Sequence, residues 1–101
     1  GQGDLYAKLV ELFAASSAQA LTQLGGALER ADLAAAAAVC HKLGASAANV
    51  GASVYARDVR ALERLCTTGE VAEARRLYAR LAAARAALLA ELSAVRLQAS
   101  A

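Results

Sequence analysis

Proline and tryptophan are missing from this sequence, and β-branched residues are few and scattered. A sheet has little to be built from, while the abundant Ala, Leu, Arg and Glu are strong helix formers. Long apolar runs are missing too. The longest, Leu33 to Cys40, falls far short of the roughly 20 residues a membrane-spanning helix needs, so no direct membrane contact is expected. There is no signal-peptide pattern. Nor is there a Gly-x-x-x-x-Gly-Lys-Ser/Thr loop, which removes ATP binding from the expected functions.

Charge of one sign is also scarce. A formal net charge of +2 is too mild for a nucleic-acid binder, which normally concentrates basic residues on one face. Arg75, Arg76, Arg80 and Arg85 gather late in the chain, but Glu70, Glu73 and Glu91 lie among them, the pattern of a solvated helix face with i,i+4 pairing. Histidine occurs once and cysteine twice. A metal site needs three or four ligands in reach, yet Cys40 and His41 are neighbours that project about 100° apart on a helix. No metal or cofactor of its own is expected. No second histidine is present to activate a thiol, so Cys40 and Cys66 read as reduced, partly buried small hydrophobes.

What is present is enough for one core. With 101 residues, 58% hydrophobic and 20% charged, the chain suits a single compact domain and is too short for two. The methionine-free start Gly1-Gln2-Gly3 reads as a remnant of trimming, leaving residues 4–101 as one helical domain cut from a larger protein.

Breaks in the apolar rhythm predict five helical stretches. Asp4 is the first N-cap, followed by Leu5, Leu9, Leu12 and Phe13 on one face. Ser16-x-x-Gln19 has the form of a capping box and predicts a restart carrying Leu21, Leu24 and Leu28, weakened by Gly25-Gly26 unless close packing explains them. Asp32 caps the next helix, whose positions Leu33, Ala36, Cys40, Leu43, Ala47 and Val50 follow a bundle seam. After a tight turn at Gly51 come Val54 or Tyr55, Val59, Leu62 and Cys66. Gly69 then accommodates a left-handed helix end. A final helix runs from Glu70 to about Leu97, with Val71, Ala74, Leu77 or Tyr78, Leu81, Leu88, Leu92 and Val95 on one side. The expected fold is all-α: an antiparallel four-helix bundle with a short additional N-terminal helix.

His41 stands out against this background. At about 100° per residue it falls roughly 135° from the centre of the apolar seam, which turns its ring towards water. Its neighbours on that side are Ala34, Ala37, Ala38, Gly44, Ala45 and Ala48. An imidazole in a field of small residues is open to close approach by another macromolecule. A neutral imidazole is nucleophilic near pH 7, its unperturbed pKa being about 6.5, and histidine forms covalent intermediates.

The run His41-Lys42-Leu43-Gly44-Ala45-Ser46-Ala47-Ala48-Asn49-Val50-Gly51-Ala52, followed by Ala61-Leu62-Glu63, resembles the central motif of histidine-containing phosphotransfer domains. The close match covers Ala38 to Glu63, and the flanking helices agree in length and periodicity. The resemblance implies that His41 is the phosphoacceptor, taking a phosphoryl group from an aspartate of a response-regulator receiver domain and passing it to another. It implies further that Leu43 is the buried motif leucine and that Gly51 lets the helix end in its turn. Two positions depart from the pattern. Gly44 stands where the family usually has lysine, and Ala45 where it usually has glycine; transfer is expected to persist at a reduced rate.

The resemblance also implies that the receiver brings Mg²⁺, and that this chain is a carrier without kinase activity of its own. It points to a parent protein that is a bacterial hybrid sensor histidine kinase and to a cytoplasmic, monomeric domain. Lys42, Gly44, Ala45, Ala48, Arg57 and Arg60 are the candidate docking residues, and Glu63, which the motif puts at the far end of the next helix, reads as a packing or surface-pairing residue rather than an acid partner for His41. Ser46 and Asn49 carry hydrogen-bonding groups near the histidine without a catalytic assignment. The alternative reading is a non-catalytic helical interaction or adaptor module, or a degenerate member of the family.

Overall fold

The computed structural model describes residues 2–100, and the side chains of residues 4–95. Residue 1 of the expected N-terminal remnant lies outside the described residues. Four helices follow one another: α1 (Gln2–Glu29), α2 (Leu33–Asn49), α3 (Ser53–Thr67) and α4 (Val71–Ser100). They pack into a bundle 46 Å long and 18 Å across. Each helix touches its sequence neighbour, and α4 closes the ring on α1.

The additional N-terminal helix does not exist, because α1 runs unbroken through the expected restart. Ser16 caps nothing. Its hydroxyl donates back to the Phe13 carbonyl at 3.4 Å, and Ser17 does the same to Ala14 at 3.2 Å, so both serines spend their side chains on the turn they belong to. Asp4 likewise sits inside the first turn, where a carboxylate favours the positive end of the helix dipole.

Continuity also resets the inner face of α1. Three- and four-residue steps towards the N-terminus from Leu28 and Leu24 reach Leu21, Ser17, Phe13, Val10 and Tyr6, all of them buried or half-buried. Leu5 and Leu12, expected inside, fall off that stripe and are 66% and 56% exposed. Val95, expected on the inner side of α4, is also exposed, while Leu92 is buried.

The three turns share one design. The amides of Asp32, Ala52 and Glu70 reach back to the carbonyls of Ala27, Ala47 and Leu65, and those of Ala31, Gly51 and Gly69 to Leu28, Ala48 and Cys66. This paired pattern closes a helix around one left-handed residue. Gly51 and Gly69 take that conformation without penalty at φ +85° and +81°, whereas Ala31 adopts it at φ 55° despite its Cβ. Asp32 then starts α2 as expected, accepting from the Ala35 amide at 3.2 Å.

Side chains fix the antiparallel register. Tyr6 donates to the Val50 carbonyl, Tyr55 to Leu81 and Tyr78 to Leu21, so each tyrosine staples two helices. Arg75 donates to the Leu28 carbonyl, occupying an acceptor at the end of α1, and Arg85 reaches Ser17 Oγ at 3.0 Å and the Ala14 carbonyl at 2.6 Å. Gly25 is explained by close packing, since a Cβ there would lie 2.5 Å from the Tyr78 hydroxyl. No helix among the described residues is long and apolar enough to cross a membrane.

Candidate functional site

The seam of α2 is the one its sequence spacing predicts. Ala36, Cys40, Leu43 and Ala47 are at most 2% exposed, so the helix rotation is fixed by four inward side chains. That rotation turns His41 out, and its ring is 80% exposed. Ala34, Ala38, Ala45 and Ala48 are exposed beside it, while Ala37 is half-buried. Nothing long on α2 itself stands over the imidazole.

The neighbouring helix supplies what α2 lacks. Glu63 of α3 brings Oε2 to 3.6 Å from His41 Nδ1, beyond a hydrogen bond but within ion-pair range once the ring carries a proton. Glu63 is therefore a neighbour of the ring, although sequence reasoning placed it at the far end of its helix. The missed signal was the tight turn at Gly51: an antiparallel hairpin folded there brings residue 63 level with residue 41. Nδ1 faces the carboxylate, and Nε2 has no hydrogen-bond partner among the described residues.

Gly44, expected as an open docking surface, is buried. Arg60 of α3 covers it, with Cγ and Nε 3.5 and 3.6 Å from the place a Cβ would occupy. Arg57 and Arg60 are both exposed and, with Arg64, border a hollow of about 320 Å³ that includes Ala48. Lys42 is exposed on the other side of α2. There it lines a groove of about 370 Å³ with Ser46 and with Ser16, Gln19 and Gln23 of α1. Lys42, Ala45, Ala48, Arg57 and Arg60 are thus all exposed, Lys42 on the groove with α1 and Ala48, Arg57 and Arg60 on the hollow beside α3. Asn49 is exposed near the end of α2.

The thiols stand apart from this surface. Cys40 and Cys66 are free and buried, and they neighbour one another across the α2–α3 seam. Burial, then the neighbouring Cys66 and Glu63, push the Cys40 thiol up to about 12. Burial also pushes Cys66 up, partly offset by the neighbouring Cys40 thiol. A thiol so hard to ionise is a poor nucleophile. Among the described residues no three His, Cys, Asp or Glu side chains gather to hold a metal.

An exposed imidazole with one nitrogen turned to a carboxylate and the other open, on a helix locked by its buried face, is equipped for nucleophilic attack on a group carried by a visiting molecule. The family model for the Hpt domain matches residues 8–97, nearly the whole chain. Neither a curated protein nor a solved structure matches it.

Proposed function

Because the chain belongs to the Hpt domain family, whose members exchange phosphoryl groups with receiver domains in phosphorelays, we propose that His41 is the residue that carries the phosphoryl group here. The exposure of its ring on a buried-faced, rigid helix is the observation that supports this reading most.

The step balances simply. The lone pair of Nε2 attacks the phosphorus of a receiver's aspartyl phosphate; the N–P bond forms, the acyl P–O bond breaks, and its electron pair returns to the aspartate carboxylate. The ring proton stays on Nδ1, and Glu63 offsets the positive charge the imidazole gains. The reverse step passes the group to a second receiver aspartate. Such transfers rely on positioning and on neutralising charge rather than on covalent assistance. In this proposal the divalent metal belongs to the receiver, whose own acidic pocket would hold it. The small side chains Ala38, Ala45 and Ala48 leave room for that pocket to close over the ring. The domain carries the group without binding ATP.

Incubation with a phosphorylated receiver domain and Mg²⁺ tests the assignment. The expected product is an acid-labile, alkali-stable phosphate on the wild-type chain and none on His41→Gln. Label surviving in that variant would move the phosphoacceptor elsewhere, and binding of the receiver without label on either protein would favour an adaptor.

A further inference from the structure

We infer that Arg60 is the cation that contacts the phosphoryl group while it sits on His41. The inference rests on the phosphorelay reading above and adds to it the charge that reading leaves unsupplied. A phosphoryl group in transfer spreads negative charge over three oxygens, and the chain must meet that charge when the receiver and its metal have left. Nothing on the histidine's own face of α2 can do so, since Ala34, Ala37, Ala38, Gly44, Ala45 and Ala48 carry no charge. Lys42 faces the groove with α1.

Arg60 is placed to fill the gap. Its stem lies across Gly44, one helical turn from His41 on the same side. It borders one hollow with Glu63, the residue that touches His41, and a second with Arg57 and Ala48. Among the described residues its guanidinium makes no ion pair and no side-chain hydrogen bond, so it is not committed to a carboxylate of its own fold. A guanidinium presents its donors as a planar fork that suits phosphoryl oxygens. Arg64 shares both hollows but does not overlie Gly44, which makes it the natural control.

Two phosphodonors separate contact with the phosphoryl group from docking of a protein. One is a phosphorylated receiver domain. The other is phosphoramidate, which is too small to dock: Nε2 forms the N–P bond as the donor's own N–P bond breaks and ammonia departs. With both donors Arg60→Ala should form phosphohistidine about fivefold more slowly than wild type, the scale of a partly screened charge pair. Arg64→Ala should change the rate less than twofold, Arg60→Lys should retain most of it, and Arg60→Ala with Gly44→Lys should recover it by placing a cation on the same turn.

The rescue is informative because a merely structural arginine would not be replaced by a lysine on another helix. A Cβ at position 44 meets only ordinary contacts, and Arg60→Ala vacates the space above it that the longer lysine stem needs. Slowing with the receiver but not with phosphoramidate would reduce Arg60 to a docking contact and overturn the inference. So would equal slowing in Arg64→Ala, which would indicate a diffuse basic field. If Arg60→Ala matches wild type while wild type is labelled, only this inference falls; if wild type takes phosphate from neither donor, the phosphorelay reading falls with it.

Discussion

The seam between α1 and α4 and the seam between α2 and α3 hold their helices together by different means. Across the first, Tyr78, Arg75 and Arg85 of α4 each donate to oxygens of α1, and Ser17 is the buried polar residue that receives Arg85. Across the second, no side chain among the described residues bonds to the opposing backbone. Its helices meet through small or compact groups: Gly44 against Val59 and Arg60, and the thiols of Cys40 and Cys66 against each other. Polar staples on one side hold the register of the bundle, so the side that bears His41 can be built from short residues and kept clear.

If that division is right, the two seams should fail differently. Ala47 is fully buried on the inner face of α2, and Ala47→Leu forces three extra carbons into a close-packed space at a cost of about 3 kcal/mol. On the stapled seam, Arg85→Met keeps the apolar stem and loses the bonds to Ser17 and Ala14, at a cost of about 2 kcal/mol. Chemical denaturation measures both. The methionine variant should be labelled on His41 at the wild-type rate, because its defect lies across the bundle from the ring. A slow methionine variant would show that the two sides are not independent.

Alkali should find the α2–α3 seam first. The folded state holds the Cys40 proton up to about pH 12, whereas an unfolded thiol releases it near pH 9. A pKa raised by folding gives stability that is complete below the unfolded value and is lost as pH rises towards the folded one. Between pH 9 and 12 stability should therefore fall by about 1.4 kcal/mol per pH unit from this thiol. Tyr55, also pushed up to about 12, mainly by burial, adds to the slope above pH 10. Melting temperatures should fall above pH 9, and Cys40→Ala should reduce the earlier part of the fall, leaving the share of Cys66, which burial also raises. An unchanged slope in that variant would place the sensitive group elsewhere.

The parts of this molecule that were legible in its sequence are those set by a single helix. The seam of α2 from Ala36 to Val50, the Asp32 cap, and the turns at Gly51 and Gly69 follow from local periodicity and from glycine's freedom at positive φ. Where a local signal had two uses, it misled. Ser16-x-x-Gln19 matches a cap, but a serine hydroxyl can equally bond back to its own helix, and here it does. That misplaced break put the wrong leucines inside, because a helix read in two pieces has two phases and a continuous one has a single phase. The left-handed turn at Ala31 carried no glycine to announce it. The orientation of His41 was legible from α2 alone, but Glu63 and Arg60 come from the next helix, and their approach depends on pairing geometry that periodicity does not contain.

The smallest expected effect tests the open side of the comparison most directly. Glu63 meets Nδ1 at 3.6 Å, and its side chain is 31% exposed, so water screens much of what it does. Glu63→Gln preserves shape and removes the charge. The carboxylate matters when N–P bond formation leaves positive charge on the ring, and a screened pair of this kind is worth about threefold in rate. Labelling of His41 should slow by that factor with no change in melting temperature, since no buried group loses a partner. A matching drop in stability would show that Glu63 holds α3 against α2. The seam that carries the histidine would then depend on a polar contact after all, and the contrast with the stapled side of the bundle would weaken.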